Sequence, residues 1–193
     1  PDRKRVLAAN YIPLESRFGM IGLLDLIPRI KEIWKERYGD ILKSADQILS
    51  SLQQKTPAAQ GGALSKDTIH EAYEGLAAAY DVKYGGFGQA PKFPTPHQLL
   101  FLLRYWKWSG EKKALEMVVK TLQAMRCGGI YDHVGFGFHR YSTDERWLVP
   151  HFEKMLYDQA MLAMAYTEAY QTTGNDLFKR TACEIFTYVL RDM

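Results

Sequence analysis

The sequence contains only two cysteines in 193 residues, Cys127 and Cys183. They lie far apart in the chain and form no C-x-x-C pair, no zinc-ligand spacing and no disulfide framework. The expectation is two buried thiols in a reducing compartment. Concentrated charge is also missing. The net charge is +3, and no basic run exceeds Arg3-Lys4-Arg5, so the basic stripe of a nucleic-acid binder is absent. No apolar run approaches the roughly 18 residues of a membrane span. No His-Glu-x-x-His or comparable ligand spacing occurs, so neither a metal nor another cofactor is expected. No signal peptide is visible. Because the chain opens on Pro1, the expectation is that the natural N-terminus lies upstream, with a cytoplasmic location for the part in view.

Hydrophobic residues make up 47% and charged residues 24%, the balance of an ordinary globular protein. Twelve Tyr, nine Phe and four Trp can build cores and can also line ligand clefts. Residues 1–13 read as a turn and a strand whose partners lie outside this chain or pair weakly within it. Residues 23–53 carry one apolar stripe at three- and four-residue steps, from Leu23 through Ile33 and Trp34 to Leu52, and read as helix. Pro28 sits early in it, and Gly39-Asp40 are the expected break. The small, polar stretch 55–64 then reads as a linker between residues 1–54 and 65–193.

Beyond the linker the pattern is all helical. A first helix over about 66–82 is capped by Ser65. Thr95-Pro96-His97-Gln98 reads as a capping box opening a second helix that ends near Ser109. A third covers about 111–126, a fourth runs from Pro150 to about 172 with Gly174 as its stop, and a fifth covers about 175–191. Long and short connections alternate, and short links force antiparallel neighbours. Both long loops therefore belong at one end of the array. An internal echo accompanies them: Tyr84-Gly85-Gly86-Phe87 leads to Pro96-His97, as Cys127-Gly128-Gly129-Ile130 leads to Pro150-His151, the mark of stacked helical pairs.

The second long loop gathers chemistry. Between Gly128 and Gln159 stand three of the five His, with Asp132, Arg140, Asp144, Glu145 and Trp147. A loop of about 20 residues in a compact domain is functional or disordered, and this one is rich in aromatics. On a helix beginning at Pro150, His151, Lys154 and Asp158 would share one face, while Glu153 and Tyr157 would form a second pair. Acid–base work near neutral pH suits His133, His139 and His151. Asp132, Glu153 and Asp158 would orient them or act as carboxyl catalysts. Phe93 and Trp147 would be stacking platforms, and Arg140, Lys154 and Tyr157 would bind ligand. The plainer alternatives are loop-tying hydrogen bonds for the histidines, a surface pair for Lys154 and Asp158, and loop core for Trp147.

Three stretches carry a family likeness: WLVPHFEKMLYDQA from Trp147 to Ala160, GGFGQAPKFPTP from Gly85 to Pro96, and ANYIPLESRFGMIGLLDLIPRIKEIW up to Trp34. Together they resemble the thioredoxin domain-containing proteins of the spermatogenesis-associated type. The resemblance implies a thioredoxin-like fold followed by a six-hairpin α/α toroid, shaped like N-acylglucosamine 2-epimerases and six-hairpin glycosidases. By that likeness the chain is an internal fragment. Residues 1–54 would be the C-terminal strand and helix of the thioredoxin-like domain, and 65–193 the first hairpins of an incomplete toroid. Toroid shape alone does not fix chemistry. The leading expectation is a carbohydrate-active or sugar-binding toroid, of the epimerase, isomerase or glycosidase kind. The alternatives are a thioredoxin-linked redox or chaperone-like protein whose helices form a substrate platform, and a non-enzymatic scaffold that binds protein. Partners would be a sugar-like small molecule, with neither nucleic acid nor membrane, and an open array of helices should self-associate.

Overall fold

The computed structural model describes residues 7, 9, 11–54 and 65–193. The linker over 55–64 lies outside the described residues, as does most of the strand expected within 1–13. The chain divides into two compact units, Pro1–Ala63 and Leu64–Met193.

In the first unit, α1 (Leu23–Glu36) and α2 (Tyr38–Gln54) form a helical pair. The break falls at Arg37, two residues before the expected Gly39-Asp40. Arg37 leaves helical geometry at φ −134°, ψ 39°, and its guanidinium then pairs with Asp40 at 2.9 Å. Pro28 lies inside α1, and no α1 residue is buried. The apolar stripe read from the sequence is thus real, yet Leu24, Ile27 and Ile33 remain exposed within this unit.

The second unit contains α3 (Lys66–Ala79), α4 (Pro96–Ser109), α5 (Lys112–Cys127), α6 (Leu156–Thr173) and α7 (Asp176–Asp192). Between α5 and α6 lies a ribbon of two short antiparallel strands, β1 (Tyr141–Ser142) and β2 (Pro150–His151). Ser65 caps α3 by accepting from the Asp67 amide. Gly110 and Gly174, both left-handed, stop α4 and α6. The connections alternate as expected, and the two long ones meet: Lys92 and Ser142 exchange backbone hydrogen bonds of 2.8 and 2.9 Å, and the Trp147 indole N–H donates to the Tyr84 carbonyl at 3.0 Å. One core joins Leu99, Leu102 and Leu103 of α4, Met117 and Leu122 of α5, Leu162 and Tyr166 of α6, and Phe178 and Ile185 of α7. Ala163, Ala165 and Ala169 of α6 are also buried, where small side chains let helices approach closely. No described helix is long and apolar enough to cross a membrane.

Four sequence readings need correction. The fourth helix of the array, α6, starts at Leu156 and not at Pro150, because Pro150 and His151 are drawn into pairing with Ser142 and Tyr141. His151, Lys154 and Asp158 therefore form no helical ladder. Thr95 does precede α4, but its backbone is left-handed (φ 42°) and its side chain makes no capping bond, so the capping box is not formed. The two cysteines are exposed, not buried; Cys127 is the last residue of α5 and Cys183 lies on a surface of α7 beside Lys179 and Arg180.

The internal echo also holds in a different register. Tyr80-Asp81 is matched by Tyr131-Asp132, and Gly86-Phe87 by Gly137-Phe138. Each Tyr forms a bridge with its Phe. Each Asp takes two backbone amides on Oδ1: Lys83 and Tyr84 at 2.8 and 3.0 Å, Val134 and Gly135 at 2.9 and 2.8 Å. Each Asp Oδ2 then receives a lysine, Lys92 at 2.5 Å and Lys154 at 2.8 Å. Each lysine also donates to a carbonyl of the same turn, Gly85 at 2.9 Å and Phe136 at 2.8 Å. Even the backbone angles agree: φ 71° at Gly85 and 68° at Phe136, 78° at Gly86 and 77° at Gly137. A Cβ at Gly86 would stand 2.4 Å from Trp147, and one at Gly137 would stand 2.6 Å from Tyr188, so both turns need glycine there.

Candidate functional site

The residues singled out in the sequence separate into three groups. The first is spent on holding the second long loop. Asp132 is ringed by Lys154 and the Val134 and Gly135 amides; burial pushes its carboxyl up, but those donors outweigh it and hold it well below the usual carboxylate range. Lys154 is filled by Asp132, the Phe136 carbonyl and the face of Tyr188, 4.3 Å away. Trp147, expected as a stacking platform, is instead fully buried with its N–H used, and it lies under the buried ammonium of Lys92. Asp144 accepts the amides of Arg146, Leu148 and Val149 and closes the ribbon turn.

His133 belongs to a second group between α5 and α7. Its Nε2 lies 3.0 Å from the Gly128 carbonyl and its Nδ1 3.3 Å from Arg126. Arg126 stacks on Tyr131 and pairs with Glu184 at 2.9 Å, and the Tyr131 hydroxyl donates to Glu184 at 2.6 Å. This network ties two helices together and takes His133 away from the ribbon.

The third group is a candidate site. It lies where the ribbon meets the start of α6. Pairing across β1 and β2 sets Tyr141 opposite His151, and their rings stack at 4.8 Å. Phe93, from the first long loop, packs on Tyr141 at 4.9 Å. Three rings from three segments thus form one partly exposed surface. Beside it the Arg140 amide donates to the Glu153 carbonyl at 2.7 Å, and its guanidinium pairs with the Glu153 carboxylate at 2.9 Å. His151 Nδ1 lies 3.8 Å from that carboxylate. His139 precedes Arg140, and its ring meets Phe152 edge-on at 5.4 Å. Burial and then Lys154 push the His139 imidazole below its ordinary range, partly offset by Asp132, which favours its neutral form.

Asp158, in the first turn of α6, is only 7% exposed. Its Oδ2 is buried without a hydrogen-bond partner. Burial raises its carboxyl to about 6; Arg140 opposes the rise and Glu153 adds to it. Tyr157 is exposed next to it. The site therefore holds two carboxyls in unlike surroundings, one ion-paired and one desolvated, which is how a fold separates a base from an acid near neutral pH. Sequence reading missed Tyr141, which ties Phe93 to His151, and it missed the Asp81–Lys92 clamp. The recurrence of Tyr-Asp with Gly-Phe after four further residues was the available signal. Among the described residues, no three His, Cys, Asp or Glu side chains group as a metal site would need.

With that geometry in place, comparison with known proteins is informative. Over its whole length the chain is 39% identical to spermatogenesis-associated protein 20 of Homo sapiens and 38% identical to that of Rattus norvegicus. This chain is related in sequence to the spermatogenesis-associated proteins. It spans about a quarter of their length, 26% in both cases. An uncharacterized protein of Caenorhabditis elegans is 34% identical across 98% of the chain and 27% of its own length. No family model matches. Among solved structures, cellobiose 2-epimerase from Bacillus thermoamylovorans superposes with a TM-score of 0.56 at 17% identity, over 65% of this chain and 36% of that one. At that identity the likeness concerns architecture: the helical array is of the α/α toroid kind.

Proposed function

We propose that the loop end of this helical array binds a sugar-like ligand and acts on it by acid–base chemistry, as an epimerase, isomerase or glycosidase would. The observation that carries the reading is the buried carboxyl of Asp158, whose Oδ2 has no hydrogen-bond partner and which burial raises to about 6, beside a Glu153 held by Arg140. A protonated carboxyl can donate to a glycosidic or carbonyl oxygen while an ionised one accepts a proton. The Phe93–Tyr141–His151 surface suits the apolar face of a pyranose ring. His151, near Glu153, is the imidazole placed to relay a proton, and His139 is the second. The named solved neighbour acts on cellobiose, so cellobiose is the first compound to try. In this reading Asp158→Asn and Glu153→Gln each abolish turnover of an aldose or disaccharide panel followed by NMR, while His133→Ala, on the other network, spares it. A folded chain that neither binds nor alters any sugar would overturn the assignment.

A second reading, a rim that docks another protein, is favoured by Phe152, 83% exposed, with Leu148 and Val149 exposed nearby. Replacing these three by serine removes that surface and leaves the carboxyl pair. Residues 1–54 we read as the end of a thioredoxin-like domain. The exposed apolar face of α1 also supports self-association of the chain, seen as a mass that rises with concentration in light scattering.

A further inference from the structure

Several of the charged side chains around the ribbon are already engaged. Lys154 is held by Asp132, Lys92 by Asp81, and Arg140 by Glu153. Arg146 lies over the Tyr84 ring, 5.8 Å from its centroid. Asp158 has no ion-pair partner of its own and feels Glu153 as a like charge. Three buried atoms here lack any hydrogen-bond partner: the acceptor Asp158 Oδ2, the donor Arg140 Nε, and His139 Nδ1, whose role follows its tautomer. The Asp158 and Arg140 side chains lie within electrostatic reach of each other. An ammonium group on a ligand would meet the acceptor and leave the donor empty. A phosphate or carboxylate would meet the donor and confront Asp158 and Glu153 with another negative charge. A hydroxyl both donates and accepts without adding charge, so it suits Asp158 Oδ2 and Arg140 Nε alike. The start of α4, which follows Phe93 in the chain, also holds two buried atoms without partners, Thr95 Oγ1 and Gln98 Oε1. Thr95 is held at φ 42°, a conformation that a β-branched residue rarely adopts.

We propose that the site selects uncharged, hydroxyl-bearing ligands over their phosphorylated or carboxylated counterparts, and that Asp158 imposes the selection. The inference rests on the sugar-binding reading above and narrows it to neutral sugars. Asp158 reads the ligand through its buried Oδ2, and Glu153 strengthens the rejection of anions by neutralising Arg140.

The test is calorimetric titration of the 193-residue chain with cellobiose and with cellobiose 6-phosphate, at a pH above 7 where Asp158 is ionised. Cellobiose should bind at least about tenfold more tightly, a gap of roughly 1.4 kcal/mol. In Asp158→Asn the gap should shrink to within about threefold, mainly because the phosphorylated sugar binds better once a like charge is gone. Circular dichroism reports whether the variant folds. If it does not, Glu153→Gln carries the test, because that side chain is substantially exposed and its loss frees the Arg140 charge for an anion. Equal binding of both sugars by the unaltered chain, or an unchanged ratio in the folded variants, overturns the selectivity while leaving sugar binding intact. Binding of neither sugar overturns the ligand assignment itself, and the selectivity falls with it.

Discussion

The two long loops begin with the same turn and end on the same lysine, yet only the second carries a candidate site. In the first, Asp81 and Lys92 stand 11 positions apart. In the second, Asp132 and Lys154 stand 22 apart. The doubled spacing accommodates the ribbon, and the ribbon brings Arg140, Tyr141, His151 and Glu153. The first loop closes directly on its clamp, with Lys92 fully buried; the second detours through the ribbon, and its clamp is looser, with Lys154 and Asp132 14% and 30% exposed. A repeated structural turn thus acts as a fixed frame, and chemistry is added as an insertion within it. This explains why Asp132 and Lys154, so prominent in the sequence, are committed to the frame.

The largest test of that contrast is removal of each lysine. Lys92→Met leaves Asp81 and the Gly85 and Glu145 carbonyls without their common donor, and should cost about 3–5 kcal/mol in urea denaturation. Lys154→Met, at a more exposed clamp, should cost about 1–2 kcal/mol. Equal losses would break the distinction between a closed and an open frame.

The glycines come next. Gly86→Ala pushes a methyl group against the buried Trp147 and should cost about 2–3 kcal/mol. Gly137→Ala meets the half-buried Tyr188 and should cost about 1–2 kcal/mol by the same strain. A neutral outcome at either would dissolve the equivalence of the turns.

The effect peculiar to the second loop is a pH dependence. Asp158 titrates near 6 in the fold against about 3.9 in an unfolded chain. Between those values the folded state holds a proton that the unfolded state has released, so its contribution is favourable below pH 4 and is lost as pH rises through 6. The loss is on the order of 3 kcal/mol. Stability of Asp158→Asn, followed by thermal melts from pH 4 to 7, should lack that decline; an identical profile in both proteins would show that Asp158 is not desolvated.

Much of this was legible in the chain itself. The helices beyond residue 65 announced themselves because their apolar spacing is regular and their stops are glycines, as at Gly110 and Gly174. The clustering of candidate residues in the second loop was also plain from composition. What could not be read was which of them share a surface. Pro150-His151 looks like a helix start until Tyr141-Ser142 pairs with it, and that pairing depends on a segment eight or more residues away. Trp147 looks like a ligand platform until the first loop covers it. Cys127 and Cys183 looked like core because free thiols usually are, but each sits on an outward helical position.

Local pattern determined the helices, their order and the alternation of short and long links, because periodicity and turn chemistry act within a few residues. Tertiary packing decided which polar groups were consumed and which were left wanting a partner. Asp132, in the second long loop, and Asp158, at the start of the helix that follows it, are the same residue type, and only the placement of Lys154 and the burial of the first turn of α6 make one a strut and the other a candidate acid. A carboxyl's behaviour is set by the donors and the solvent around it, and those come from distant parts of the chain.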